Sequence, residues 1–411
     1  MNSKPKDHKE IGRDLELFFN DEISPGTVFW LPNGMVIFKE LEKYIRELTD
    51  KNGYLETSTP IMVKSELFKQ SGHWTKFGAH NMYNLALSDE PDTKISNSPS
   101  VDYSLKPMNC PESTILFRFR QRSYRELPFR LSEIGRLHRR EKSGEVNGLL
   151  RVRQLTMDDA HIYCTEDQIF EEVGNILDLM VQFYKSFGFD YDFRLATRPE
   201  QRAGTNENWD KAEKDLSEVL KKKGIKASDK IGDGAFYGPK IDMHIKDTLG
   251  REWQLATVQL DFHQPEAFKL AYIDSNGQEK RPVMIHRAIF GSFERFIAIL
   301  TEQYQGAFPT WLAPIQASIL PISEKFTDYA QEVTNQLKDS KIRASLDKSD
   351  ERLQAKIRQA TMSKIPYLLI VGAKEQEAKT VAVRAQDGKD LGTMTIADFI
   401  SKINKEIENK S

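Results

Sequence analysis

Cysteine is scarce in this sequence: there are two in 411 residues, Cys110 and Cys164. A disulfide framework cannot rest on that number, so a reducing, cytoplasmic setting is the expectation. Long apolar runs are missing too. No stretch approaches the ~20 apolar residues that a membrane helix needs, and no membrane partner is expected. The opening MNSKPKDHKE is polar and lacks the apolar core of a secretion signal. Net charge is nearly absent, with 59 Lys+Arg against 61 Asp+Glu. Repeats and low-complexity tracts are absent as well. What these absences leave is an ordinary globular chain with room for two or three domains.

Against that neutral background one stretch stands out. Residues 118–153 carry 11 Lys/Arg against 4 Asp/Glu. Within it, Arg139 and Glu141 lie on an apparent strand, a polar loop follows from Lys142 to Gly148, and a second strand-like run carries Arg151 and Arg153. Two arginines facing each other across a hairpin can grip a polyphosphate, because the guanidinium fork matches phosphate oxygens. A solvated hairpin with surface arginines would read the same way. Arg295 is different, because it sits in the apolar run GSFERFIAIL, where an unpaired charge is costly.

The periodicities place further elements. His8 to Phe19 reads as a short helix and Trp30 to Gly34 as a turn. Phe38, Leu41, Ile45 and Leu48 recur at helical spacing before Gly53. Tyr54 to Pro60 is extended. Residues 86–103 read as an exposed loop. Thr165 to Gly188 is the clearest helix, opened by a Thr165/Gln168 capping box. Asn208 to Gly224 is a second helix, and Ile289 to Tyr304 a third. Strand-like runs alternate with glycine turns between Gly232 and Gln259, as in an antiparallel sheet. The pattern changes at Pro309 to Pro314. Beyond it, strands at 315–320, 341–346, 366–371 and 379–384 alternate with helices at 323–338, 350–363 and 395–408, which implies a largely parallel sheet covered by helices.

Cys110, His161 and His286 are far apart, and no CxxC or HExxH spacing joins them. Spacing alone therefore makes no metal site.

Five segments, in order, are more specific: KPMNCP (106–111), HRRE with RVR and DDAH (138–161), AFYGPK (235–240), TVQLDF (257–262) and MIHRAIFGSFERF (284–296). Together they resemble the class II aminoacyl-tRNA synthetases in their threonyl form. The resemblance implies an α+β catalytic domain with a central antiparallel sheet flanked by helices. A smaller α/β domain with a mixed, largely parallel sheet follows it. The expected division is a lead and linker helix over 1–28, catalytic domain 29–308, linker 309–314 and anticodon-binding domain 315–411.

The same resemblance implies the chemistry. The chain would activate L-threonine with ATP and magnesium and pass it to threonine tRNA, as a homodimer joined through residues 38–60. Arg139 would bridge the substrate carboxylate and the α-phosphate, while Arg151 and Arg295 hold the outer phosphates. Glu141, Leu155 and Gln254 would surround the adenine. Cys110, His161 and His286 would hold one zinc ion, leaving an open position that takes the amino group and hydroxyl of threonine. Asp159 would read the hydroxyl, with Met108, Tyr237 and Gln259 lining the pocket and Lys240 in the same strand region. His73 would assist transfer, and Glu375 and Arg384 would contact the anticodon. Met157 and Leu155 depart from the family, which often has Gln and an aromatic residue there. No region for hydrolysing mischarged serine is expected in these residues. Two other readings compete: a synthetase for serine or proline, and a synthetase-like RNA binder or sensor without catalysis. The three metal-site residues argue against proline. The retained Arg139 and Arg295 argue against loss of catalysis.

Overall fold

In the computed structural model, residues 5–85, 103–247 and 250–410 are described. The polar stretch 86–102 lies outside them. The chain forms two compact units, Glu22–Thr27 with Tyr44–Phe296, and Met1–Asp21 with Val28–Lys43 and Ile297–Ser411.

The helix expected around Phe38 to Leu48 is α1 (Pro32–Lys51), with Leu41, Ile45 and Leu48 buried at that spacing. It begins earlier than the sequence reading placed it. Pro32 to Gly34 form its first turn rather than a separate turn, since proline's fixed φ suits a helix start. The N-terminal helix is shorter than expected, His8–Asp14, and Glu16 at a φ of 51° turns the chain out of it.

The larger unit is built on one eight-stranded sheet. Its members are β1 (Leu55–Glu56), β2 (Phe129–His138), β3 (Gln154–Cys164), β4 (Tyr191–Ala196), β5 (Ala227–Lys230), β6 (Lys240–Lys246), β7 (Glu252–Asp261) and β8 (Val283–Ala288). They lie in the order β5-β4-β6-β7-β8-β3-β2-β1. The six inner strands are antiparallel, and only the edge pairs β5/β4 and β1/β2 are parallel. The short helix α2 (Cys110–Phe117) follows the KPMNCP run. The capping box at Thr165 and Gln168 is present, and helix α3 (Ile169–Lys185) runs from it. Helix α4 (Asn206–Lys222) is capped by Thr205. Helix α3 buries Phe183, whose ring stacks on Tyr44 and Phe290. A buried aromatic side chain of this kind contributes about 1.5–3 kcal/mol.

Two expectations about the site segments are corrected. β2 stops at His138 and β3 starts at Gln154, so Arg139, Glu141, Arg151 and Arg153 lie beyond the ladder. The backbone groups there find other partners: the Arg139 N–H donates to the Arg153 carbonyl, and the Arg153 N–H donates to that of Gly26. The third helix starts at Phe293 instead of Ile289, as α5 (Phe293–Gln303). The N–H groups of Ile289 and Phe290 are taken by the Asp158 carboxylate, and Gly291 turns at a φ of 75°.

In the other unit a five-stranded sheet comprises β9 (Ala317–Pro321), β10 (Ala344–Leu346), β11 (Tyr367–Val371), β12 (Thr380–Ala385) and β13 (Asp390–Thr395). The order is β10-β9-β11-β12-β13, parallel for the first three and antiparallel thereafter. Helices α6 (Thr327–Asp339), α7 (Leu353–Met362), α8 (Ala373–Ala378) and α9 (Ile396–Asn409) accompany it. Ile319, Val333, Leu369, Val383, Phe399 and Ile403 are core residues there. Strand β13 and helix α8 were not expected from the sequence.

Candidate active site

Strand alternation builds the site. On β3, Leu155, Met157, Asp159 and His161 face one cavity of about 390 Å3. Thr257 and Gln259 on β7, and His286 and Ala288 on β8, face it from neighbouring strands. Met108 and Cys110 enter from the start of α2, Arg139 from the hairpin and Arg295 from the first turn of α5. Residues that span nearly two hundred positions thus line one space. Its size suits a small molecule.

At one place in this cavity Cys110, His161 and His286 converge. Their ligand atoms all lie within 4.8 Å of one another, and all three residues are buried. Nε2 of His161 has no hydrogen-bond partner among the described residues. Burial pushes the Cys110 thiol up and the His161 imidazole well down. His286 is held by its Nε2, 2.9 Å from Asp261 Oδ2. Asp261 is held in turn by the N–H groups of His263 and Gln264. A carboxylate behind an imidazole fixes the ring and its tautomer, as behind metal-bound histidines. Two imidazoles and a thiol, one imidazole nitrogen without a partner, and a carboxylate brace fit a zinc ion.

The neighbouring wall is polar and ordered. Asn109 Nδ2 donates to Asp159 Oδ2 at 2.9 Å. Burial raises the Asp159 carboxyl, and the Asn109 contact opposes that rise. The Tyr237 hydroxyl donates to Gln259 Oε1 at 2.6 Å, and Gln259 Nε2 donates to Thr257 at 3.1 Å. The Tyr237 ring stacks on His286 with centroids 4.7 Å apart.

Cations occupy another part of the cavity. Arg139 donates from Nε to the Pro107 carbonyl, and Arg295 from Nε to that of Leu150. Burial lowers both guanidinium pKa values, and the charges of Arg139 and Arg151 lower that of Arg295 further. An anion placed among them would relieve that repulsion. Arg151 is exposed and paired with Glu141 at 2.8 Å and with Glu145 at 3.1 Å.

Other expected site residues stand as follows. Gln254 lines the cavity from β7. Lys240 is buried and donates to Asp242 at 2.6 Å. His73 is fully buried, with Nδ1 2.8 Å from the Ser71 hydroxyl and Nε2 4.0 Å from Cys110 Sγ. Burial pulls its pKa to about 3, so the ring is neutral. In the smaller unit, Glu375 caps α8 by accepting from the Gly372 N–H at 2.9 Å, and Arg384 donates to the Gly388 carbonyl. Sequence reasoning missed Asn109 and Asp261. Both lie inside quoted motifs, but their tasks depend on contacts across strands.

Comparison with known proteins places these features in a wider set. Residues 94–304 match the family described as tRNA synthetase class II core domain (G, H, P, S and T). Residues 316–406 match an anticodon binding domain. A threonine–tRNA ligase of Acetivibrio thermocellus is 48% identical over 408 residues, covering 99% of this chain and 62% of that protein. One of Clostridium novyi is 46% identical over 409 residues, again covering 62% of the relative. The chain thus spans less than two thirds of the length of these curated relatives. Among solved structures, one described as the RNA binding domain of threonyl-tRNA synthetase from Cryptosporidium parvum Iowa II superposes with a TM-score of 0.92 at 39% identity, over 98% of each chain. A putative threonyl-tRNA synthetase of Aeropyrum pernix superposes with a TM-score of 0.83 at 28% identity, covering 99% of this chain and 97% of that one.

Proposed function

The chain belongs to the threonyl-tRNA synthetase family of class II, and on that premise we propose that it activates L-threonine with ATP and transfers it to the 3′ end of threonine tRNA. The observation that carries the proposal is the shared cavity. Arg139 and Arg295 line the same 390 Å3 space as the Cys110, His161 and His286 cluster and Asp159.

Activation brings two anions together. A threonine carboxylate oxygen attacks the α-phosphate of ATP, the bond to the β-phosphate breaks, and pyrophosphate leaves. Arg139 would neutralise the carboxylate and α-phosphate as they meet, and Arg295 the outer phosphates. Such fixed charges act without reorganising and supply most of the acceleration in phosphoryl-type transfers. Magnesium would accompany the phosphates. Arg151 would exchange its carboxylate partner Glu141 for a phosphate, freeing Glu141 to accept from the adenine amino group. Leu155 and Gln254 would flank the base. In transfer, a terminal ribose hydroxyl attacks the adenylate carbonyl and AMP leaves. His73, kept neutral by burial, is the group we assign to assist that step, and Lys240 is assigned to the strand region of the pocket, where it pairs with Gln259.

Cys110, His161 and His286 would hold one zinc ion per chain. Bound there, zinc supplies a Lewis-acid position for the amino group and hydroxyl of the substrate. Asp159 would accept from that hydroxyl, while Met108, Tyr237 and Gln259 close the pocket. Valine fills the same shape without the oxygen and would leave the second oxygen of Asp159 without its partner, which makes its rejection strong. Serine differs from threonine by one methyl, worth roughly 10- to 200-fold. No residues of the described chain are assigned to clearing it.

The reading extends to a catalytic domain over 29–308, the linker 309–314 and an anticodon-binding domain over 315–411 in which Glu375 and Arg384 meet the anticodon. It also extends to a cytoplasmic homodimer through residues 38–60. ATP–pyrophosphate exchange against a panel of amino acids tests the proposal. Exchange should be strong with threonine, weaker with serine and near background with valine and proline. Equal rates with serine or valine would overturn it.

A further inference from the structure

Asn109 is fully buried beside the cavity, yet the reading above gives it no task. Its backbone starts helix α2, because the Ser113 N–H donates to the Asn109 carbonyl at 3.1 Å. Its side chain points elsewhere. Nδ2 donates to Asp159 Oδ2 at 2.9 Å, and Oδ1 has no partner among the described residues. That orientation follows from charge: a flipped amide would set its oxygen against the carboxylate. On the far side of the Asp159 carboxylate, Oδ1 lies 3.9 Å from His161 Nε2. One oxygen is therefore held by Asn109, and the other faces the metal-type cluster.

The amide also has a seat made for it. It lies over Gly135 on β2, where a Cβ would fall 2.4–2.8 Å from its Oδ1, Nδ2 and Cγ. Any larger residue would push the amide away, since real Cβ atoms essentially never approach that closely. Gly135 has an ordinary backbone conformation, absent from the positive-φ glycines. Its use is thus space for Asn109 rather than backbone freedom.

We propose that Asn109, seated on Gly135, is the positioning residue that aims Asp159 at the substrate hydroxyl and so sets the preference for threonine over valine. This inference rests on the proposed activation of threonine. A carboxylate accepting from a fixed amide donor keeps one orientation. Without the donor it can rotate about its side-chain bonds, and the second oxygen leaves the hydroxyl. The role is one of aim, so Asn109 itself touches no reacting atom.

The test uses the whole chain carrying Asn109→Asp, Asn109→Ala or Gly135→Ala, with zinc content and far-UV circular dichroism measured for each. Asn109→Asp keeps the shape but replaces the donor by an oxygen that repels Asp159, while Asn109→Ala removes the donor without adding charge, so a change common to both reads the lost donor rather than shape or repulsion alone. Pyrophosphate exchange is measured at slightly alkaline pH with threonine, serine and valine. The expected result is a threonine-to-valine ratio of kcat/KM that narrows by about 10- to 100-fold in all three variants, the scale of one hydrogen bond to a charged group. The threonine-to-serine ratio, which reads a methyl, should stay within about threefold, with zinc retained. An unchanged threonine-to-valine ratio in Asn109→Asp would overturn the inference while threonine activation by the unaltered chain upholds the function. Loss of zinc in the variants would overturn it too, because the effect would then run through Cys110. Failure of the unaltered chain to activate threonine would bring down the functional reading, and this inference with it.

Discussion

Replacing Asp158 by alanine should cost far more stability than replacing its neighbour Asp159. Asp158 and Arg287 form a fully buried ion pair, with the guanidinium donating to Asp158 Oδ1. The other oxygen, Oδ2, accepts from the N–H groups of Ile289 at 2.7 Å and Phe290 at 3.0 Å. Arg287 Nε and Nη2 have no hydrogen-bond partners among the described residues. Tyr54 contributes its ring face 4.8 Å from the guanidinium carbon. Removing the carboxylate therefore strands a buried cation and two backbone donors. Breaking a buried pair from one side costs about 3–5 kcal/mol, a large share of the ~5–15 kcal/mol that holds a domain folded. With a slope near ~3 kcal/mol per molar, the urea midpoint should fall by about 1–2 M. Tryptophan fluorescence during urea unfolding would report it. The double change of Asp158→Leu with Arg287→Met should recover part of the loss, since it leaves no unpaired charge. An unchanged midpoint in Asp158→Ala, or a fall as large in Asp159→Ala, would refute the reasoning.

Three other outcomes are expected. Arg295→Ala should lower pyrophosphate exchange by about 10²- to 10³-fold, the scale of losing one preorganised charge-stabilising group, while the circular dichroism spectrum stays unchanged. Elemental analysis of protein purified without added metal should give one zinc per chain, and His161→Ala should abolish it. Burial pushes the Glu294 carboxyl up to about 7 from the ordinary 4.5, so the folded state holds an extra proton between those values. Stability should therefore fall as pH rises from about 4.5 to 7, and Glu294→Gln should flatten that slope in urea titrations read at several pH values.

Much of the site could be read in the chain because its residues fall in short runs of distinctive composition. Motif positions such as Arg139, His161 and His286 do line one cavity. The limits of the reading have physical causes. The hairpin strands looked longer than they are because Arg151 and Arg153 continue an alternating pattern, while their backbone N–H groups donate to the carbonyls of Asn147 and Gly26. The start of α5 was misplaced because a side chain 131 positions away in the chain, Asp158, captures two N–H groups that a helix would have used. Strand β13, DLGTMT, offers only Leu391 and Met394 as large apolar residues and contains glycine, so its strand signal is weak. Helix α8, AKEQEA, buries none of its residues and shows no apolar face. Asp261 and Asn109 have no periodicity of their own to betray them. Their value lies in what they hold.

The run DDAH carries the deepest constraint. Adjacent residues on a strand face opposite sides, so Asp158 and Asp159 cannot share a task. Asp158 closes a buried ion pair on one face, while Asp159 and His161 face the cavity on the other. A slip of one residue would exchange the two sets and bury the site's polar groups among apolar side chains. Ten paired positions along β2 and β3 oppose that slip, from Phe129 with Tyr163 to His138 with Gln154. Gly135 is one of them, opposite Met157, and it is where the Asn109 amide comes down on the sheet. In a slipped register Asn109 would still sit on Gly135, but Asp159 would no longer lie beside it. The contact that aims the carboxylate therefore also favours the one register in which that carboxylate is on the cavity side. Fold and selectivity are set by the same strand pair, which is why a single methyl at position 135 is expected to alter substrate choice.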